Sequence, residues 1–158
     1  MNGKFMKAIV VAAALATGAG FVGAAAPVHD HGGAPVEMKL DHGRKWSTDA
    51  PLRQGMSKIR ASVDDNAEAI HRGKFGAGDY AALGGAVEAQ VAYIVENCKL
   101  EPAADEVLHG LIAELGAGVE VLNGKRAGVP RDEGVSRIVA ALDHYGEYFD
   151  HPGWKPVH

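Results

Sequence analysis

From residue 47 onward, apolar residues recur at steps of three and four, and the recurrence is interrupted three times. Leu52, Met56, Ile59, Val63, Ala67 and Ile70 form the first stripe, behind the capping candidates Ser47, Thr48 and Asp49. Pro51 is tolerated in a first turn and Gly73 is a stop, so the spacing predicts a helix near 49–72. Asp79 stands before a second stripe of Tyr80, Leu83, Val87, Val91, Ile94 and Cys98, near 79–98. Pro102 and Asp105 open a third, near 103–123, carried by Leu108, Leu111, Ile112, Leu115, Val119 and Leu122 and closed by Asn123-Gly124. Val135, Ile138, Leu142, Tyr145 and Phe149 carry a fourth near 131–150, which Pro152-Gly153 ends. Four amphipathic helices with short connections predict an all-α fold, an antiparallel up-down-up-down four-helix bundle over 47–154 with a tail at 155–158.

The first 46 residues have another character. Lys4 and Lys7 precede an apolar run from Ala8 to Val22, and Ala24-Ala25-Ala26 offers small residues for cleavage, so residues 1–26 read as a secretory signal. The run is too short and Gly-rich for a retained membrane helix, and the processed chain is expected in the periplasm or secreted, without stable membrane insertion. Residues 27–46, rich in His, Gly and Pro, are expected to be a flexible leader, with Val36 to Leu40 able to lie extended against the body. Losing Lys4 and Lys7 takes the 16 basic residues to 14 against 20 acidic ones. That balance argues against a nucleic-acid partner.

An exported chain with one cysteine must shield the thiol, join it to another molecule or give it to a metal. Antiparallel helices turn positions into heights at about 1.5 Å per residue, and Met56, Cys98, His109, His144, Tyr148 and His151 then collect near one end. Thioether, thiolate and imidazole donors suit a soft or borderline metal, copper above all, so Met56, Cys98, His109 and His144 form the candidate metal site. Each also has a plainer reading. Met56 and Cys98 lie on apolar stripes where they serve as core, and the two histidines lie on stripe flanks that usually face solvent. Tyr145, Tyr148 and Phe149 read as packing at the end of the bundle.

The helical part resembles the periplasmic cytochrome b562 family in its four-helix topology, in Leu52-Arg53-Gln54-Gly55-Met56 early in helix one, and in His109-Gly110 near the start of helix three. The resemblance implies haem b between helices one and four, with Met56 as one axial ligand and an electron-transfer role with a redox partner protein. Tyr148 falls where the family has its helix-four histidine, and His144 lies one turn earlier, so the haem alternative uses Met56 with His144. No Cys-x-x-Cys-His is present, which excludes covalent haem attachment of the c type.

His29, His31 and His42 form a second candidate metal site, since neutral imidazoles on a pliable chain can wrap copper or zinc. A solvated linker is the plainer reading of that segment. Enzyme signatures are missing: there is no Gly-rich phosphate loop, no His-Glu-x-x-His and no nucleophile elbow. Glu106 and His109 give one Glu-x-x-His tetrad where a di-iron bundle needs two. The expected function is therefore transition-metal binding, in sequestration, electron transfer or sensing, and not catalysis. The alternatives are a haem b protein and a metal-free periplasmic interaction or stress module. Gly84-Gly85 and Gly116-Ala117-Gly118 would also permit a homodimer through close helix approach.

Overall fold

The computed structural model describes residues 38–157, and the description that follows concerns them alone. The predicted signal peptide, His29 and His31 lie outside the described residues. The fold is all-α, built on four long helices and one short one. In chain order the elements are β1 (Trp46–Ser47), α1 (Ala50–Asp64), α2 (Ala67–His71), α3 (Ala77–Asn97), α4 (Pro102–Leu122), α5 (Asp132–Tyr148) and β2 (Phe149–Asp150).

The helix boundaries follow local chemistry. Asp49 is the N-cap of α1 and its Oδ1 accepts from the Leu52 N–H at 2.9 Å, with Pro51 in the first turn. The first predicted helix is divided: α1 stops at Asp64 and α2 resumes at Ala67. At the break the Asn66 amide donates to the Ser62 carbonyl at 2.7 Å, offering the backbone an alternative to the helical ladder. Helix α3 starts two residues earlier than predicted. Gly76 is its N-cap, and Asp79 lies inside the first turn, its Oδ2 accepting from the Gly76 N–H at 2.8 Å. Asn123-Gly124 closes α4 as expected, with Gly124 at φ +71° and its N–H on the Val121 carbonyl at 2.9 Å.

Helix α1 packs on α3 and α5, α3 on α4, and α4 on α5. Contacts between neighbouring helices join Asp49, before α1, to Cys98 at the end of α3, Gly84 of α3 to Asn123 at the end of α4, and Glu114 of α4 to His144 of α5. The predicted stripes supply the core, including Leu52, Met56 and Ile59 from α1, Leu83, Val87 and Ile94 from α3, Leu111 and Leu115 from α4, and Ile138, Leu142 and Tyr145 from α5. Two glycines allow close helix approach. A Cβ on Gly118 would come within 2.8 Å of the Ile138 side chain, and one on Gly134 within 2.8 Å of the Gly118 carbonyl. Gly84 and Gly118 thus serve contacts inside the chain, whereas Gly85 and Gly116 face open space.

Residues 38–46, expected in the flexible leader, are built into the body. Asp41 and Arg44 exchange backbone hydrogen bonds of 2.8 and 2.9 Å around His42 and Gly43, whose φ values of +49° and +83° are those a tight two-residue hairpin needs. Trp46 is buried in the core and its Nε1 donates to the Lys39 carbonyl at 2.7 Å. Its strand β1 pairs in parallel with β2, Trp46 opposite Phe149 and Ser47 opposite Asp150, so the fourth helix ends at Tyr148 instead of near 150. Beyond β2 the tail turns at Gly153 (φ +80°), and Trp154 seats on Gly146, where an added Cβ would meet the indole at 2.8 Å.

Candidate functional site

The four predicted metal donors have separate partners. Met56 is 1 % exposed and packed inside the apolar core. Cys98, half-buried, ends α3, and its thiol lies 3.4 Å from Asp49 Oδ1. His109 is exposed on α4, its Nδ1 2.8 Å from the Asp105 carbonyl oxygen of its own helix and 3.4 Å from that residue's carboxylate. His144 reaches across to α4, with Nδ1 2.8 Å from Glu114 Oε2. Among the described residues, no three His, Cys, Asp or Glu side chains come together as a group that could hold a metal ion. A shared height does not gather the predicted donors: Cys98 meets Asp49, which was expected only as a cap, and the two histidines sit on stripe flanks that turn them toward neighbours on the outer surface. His42 of the second predicted site stands 94 % exposed at the hairpin tip, 4.0 Å from Asp41.

The residues present do not fit haem b. An iron between helices one and four needs two ligands facing each other across it, yet Met56 is enclosed by core side chains and His144 is directed to Glu114 on α4. Tyr148, half-buried, lies at the last position of α5.

Around Cys98 the structure assembles a different group. One Asp49 carboxylate accepts the α1 Leu52 N–H at 2.9 Å, the Lys99 N–H at 2.7 Å and the Cys98 thiol. Burial alone would raise the Asp49 pKa, but these hydrogen bonds and the Arg53 guanidinium outweigh it, and the net shift is downward. For Cys98 the net shift is upward, with only the Lys99 backbone hydrogen bond opposing it. Burial, the hydrogen bond to Asp49, the Asp49 charge and the Asp105 charge push the thiol up to about 12. It is held as a neutral thiol, which is a poor nucleophile and a poor ligand.

Tyr145 and His151 complete this end. Tyr145 is fully buried, and its hydroxyl lies 2.9 Å from His151 Nδ1. Burial raises the phenol above its usual value, with Cys98, Asp49 and Asp150 adding to the rise and Arg53 opposing it. Burial and Arg53 lower the His151 imidazole, against Asp150. With Tyr145 the donor and Nδ1 the acceptor, the pair is satisfied in its neutral form. Arg53 Nη1 donates to the Thr48 carbonyl at 2.5 Å, Thr48 Oγ1 to the Asp150 carbonyl at 2.6 Å, and Lys45 Nζ to the Gly146 carbonyl at 2.5 Å. These bonds tie the start of α1 to the end of α5, as Asp49 ties it to the end of α3.

Sequence reasoning singled out Asp49 as a cap and Tyr145 as packing but assigned neither to the Cys98 environment. Each makes its decisive contact with a residue distant in sequence or beyond the helical pattern. No family model, no curated protein and no solved structure matches the chain. Among the described residues, no helix is long and apolar enough to cross a membrane.

Proposed function

We propose that this chain is an exported, antiparallel up-down-up-down four-helix bundle that works as a metal-free binding module, with Cys98 a structural thiol. The single observation that carries the reading is the contact from Cys98 Sγ to Asp49 Oδ1, in a carboxylate already occupied by two backbone N–H groups. A thiol with that partner fixes the end of α3 to the start of α1. Bringing a metal to it would require removing its proton beside two carboxylates and breaking the Asp49 contacts.

Copper at Met56, Cys98, His109 and His144 is the competing proposal, and haem b on Met56 and His144 is another; spectra separate all three. Adding Cu(II), Cu(I) or haem b to the isolated protein is expected to give neither a thiolate-to-copper visible band nor an intense Soret band. A stoichiometric copper–thiolate band that Cys98→Ser abolishes contradicts the reading, as does a Soret band lost in Met56→Ala.

A further inference from the structure

At the end of α1 and α5 remote from Cys98, a cavity of about 500 Å³ opens between α1, α2, α5 and the C-terminal tail. Its walls are Val63, Ala67, Ile70, Val135, Val139 and Val157. His71, Asp132 and Ser136 supply the polar groups. This volume and this mixture, a mostly apolar wall with a few polar groups, are those of small-ligand sites. Val63 and Val135 are buried at its floor, while Ala67, Ile70, Val139 and Val157 are half-buried and keep apolar surface toward it.

The charge around the cavity selects the ligand. Three carboxylates nearby in sequence each have an arginine: Asp64 pairs with Arg60 at 2.6 Å, Glu68 with Arg72 at 2.5 Å and Glu133 with Arg137 at 3.5 Å. Asp132, exposed at the first position of α5, has no ion-pair partner among the described residues; neighbouring Asp65 has none either, and of the two it is Asp132 that lines the cavity. An apolar body would bury against the valines and Ile70, leaving a cationic head to meet Asp132, with the Ser136 hydroxyl one turn along the same helix.

We propose that this cavity binds a small amphiphilic amine, its alkyl or aromatic body between Ile70, Val139 and Val157 and its ammonium group at Asp132. The site names what the module binds and so rests on the reading of a binding module, but it uses none of the residues around Cys98. The tail takes part: Trp154, held on Gly146 and Tyr145, carries the chain back along α5 so that Val157 forms one wall.

Octylamine, butylamine, octanol and octanoate serve as probes, titrated into the full chain at low ionic strength and about pH 8, above the range in which histidine usually titrates. Calorimetry gives affinity and amide chemical-shift mapping gives location. Octylamine is expected to bind at least about tenfold more tightly than butylamine, through the added buried methylenes. It should exceed octanol by up to about fivefold, as a partly exposed ion pair allows, with octanoate weakest. Asp132→Asn should bring octylamine down to octanol, and Val157→Asp should weaken every long-chain probe. Ala67→Phe should fill the site, with a circular-dichroism melt checking that the variant folds.

Octanoate as tight as octylamine, no dependence on chain length, shifts confined to the Cys98 end, or concentration-dependent self-association through this face each overturn the proposal. So does octylamine affinity unchanged in both Asp132→Asn and Val157→Asp. Failure of these probes with copper and haem still silent removes the amine assignment alone. A copper–thiolate band at Cys98 removes the metal-free reading instead.

Discussion

The two ends of α1 and α5 are finished in opposite ways. At the Cys98 end, polar groups reach across elements and most meet a partner: Asp49 holds Cys98 and Lys99, Thr48 holds Asp150, Arg53 holds Thr48, and Tyr145 holds His151, while Trp154 Nε1 is buried without one. At the Asp132 end the helices leave a cavity with apolar walls and one carboxylate without an ion-pair partner among the described residues. The difference teaches where to look for binding. A group of side chains that satisfy one another has little left for a ligand, and an unfilled apolar cavity has surface to give.

The Cys98 end is most sensitive at Asp49. Asp49→Ala removes an N-cap and leaves the Lys99 N–H and the Cys98 thiol without their acceptor, and should cost about 2–3 kcal/mol in chemical denaturation. A cost near zero would mean that this end is not a lock. Tyr145→Phe keeps the buried ring and deletes the hydroxyl facing His151, for an expected loss of about 1 kcal/mol. Ile70→Ala, at the half-buried wall of the cavity, should cost less than about 1 kcal/mol, because much of the side chain already meets open space. The inverse order, with Ile70→Ala worse than Asp49→Ala, would sink the contrast between the ends.

Acidity sharpens the contrast further. The lowered His151 pKa means that the unfolded chain takes up a proton first as pH falls below about 6.5. Stability from His151 is thus full above that value and is lost as pH drops toward the folded-state pKa. Asp49, also lowered, adds a loss in the same direction below its ordinary 3.8. Cys98 acts at the other extreme: its raised pKa stabilises the fold below 9, and that contribution disappears as pH climbs from 9 toward about 12. Urea denaturation across pH should find the His151→Phe variant with a flatter acid limb and Cys98→Ala with a flatter alkaline one.

Much of the fold could be read from spacing. The apolar stripes named most of the residues that became the core, and Pro102 and Asn123-Gly124 marked helix boundaries, because helical periodicity and capping act over a few residues. The parts that escaped were nonlocal. Trp46 stands in a Gly- and His-rich stretch, and its burial depends on pairing with Phe149, about a hundred residues away. The division at Asn66 turns on one side-chain amide competing with the helix. For the candidate site, height along neighbouring helices pointed to Met56 as the helix-one neighbour of Cys98, whereas the thiol contacts the cap residue Asp49. Height carries no information about direction around the helix axis, and that is where His109 and His144 departed, each toward a nearby carboxylate. The cavity had no sequence signal, since valines and isoleucine lining a space look the same in sequence as those filling one.

The most direct test of the central claim is the titration of Cys98 in the native protein, followed by ultraviolet thiolate absorbance from neutral pH upward with Cys98→Ser as the blank. The account predicts no thiolate until the pH nears 12, and at neutral pH roughly a thousandfold less thiolate than a thiol of pKa 9 carries. A native thiolate appearing at or below pH 9 would contradict it.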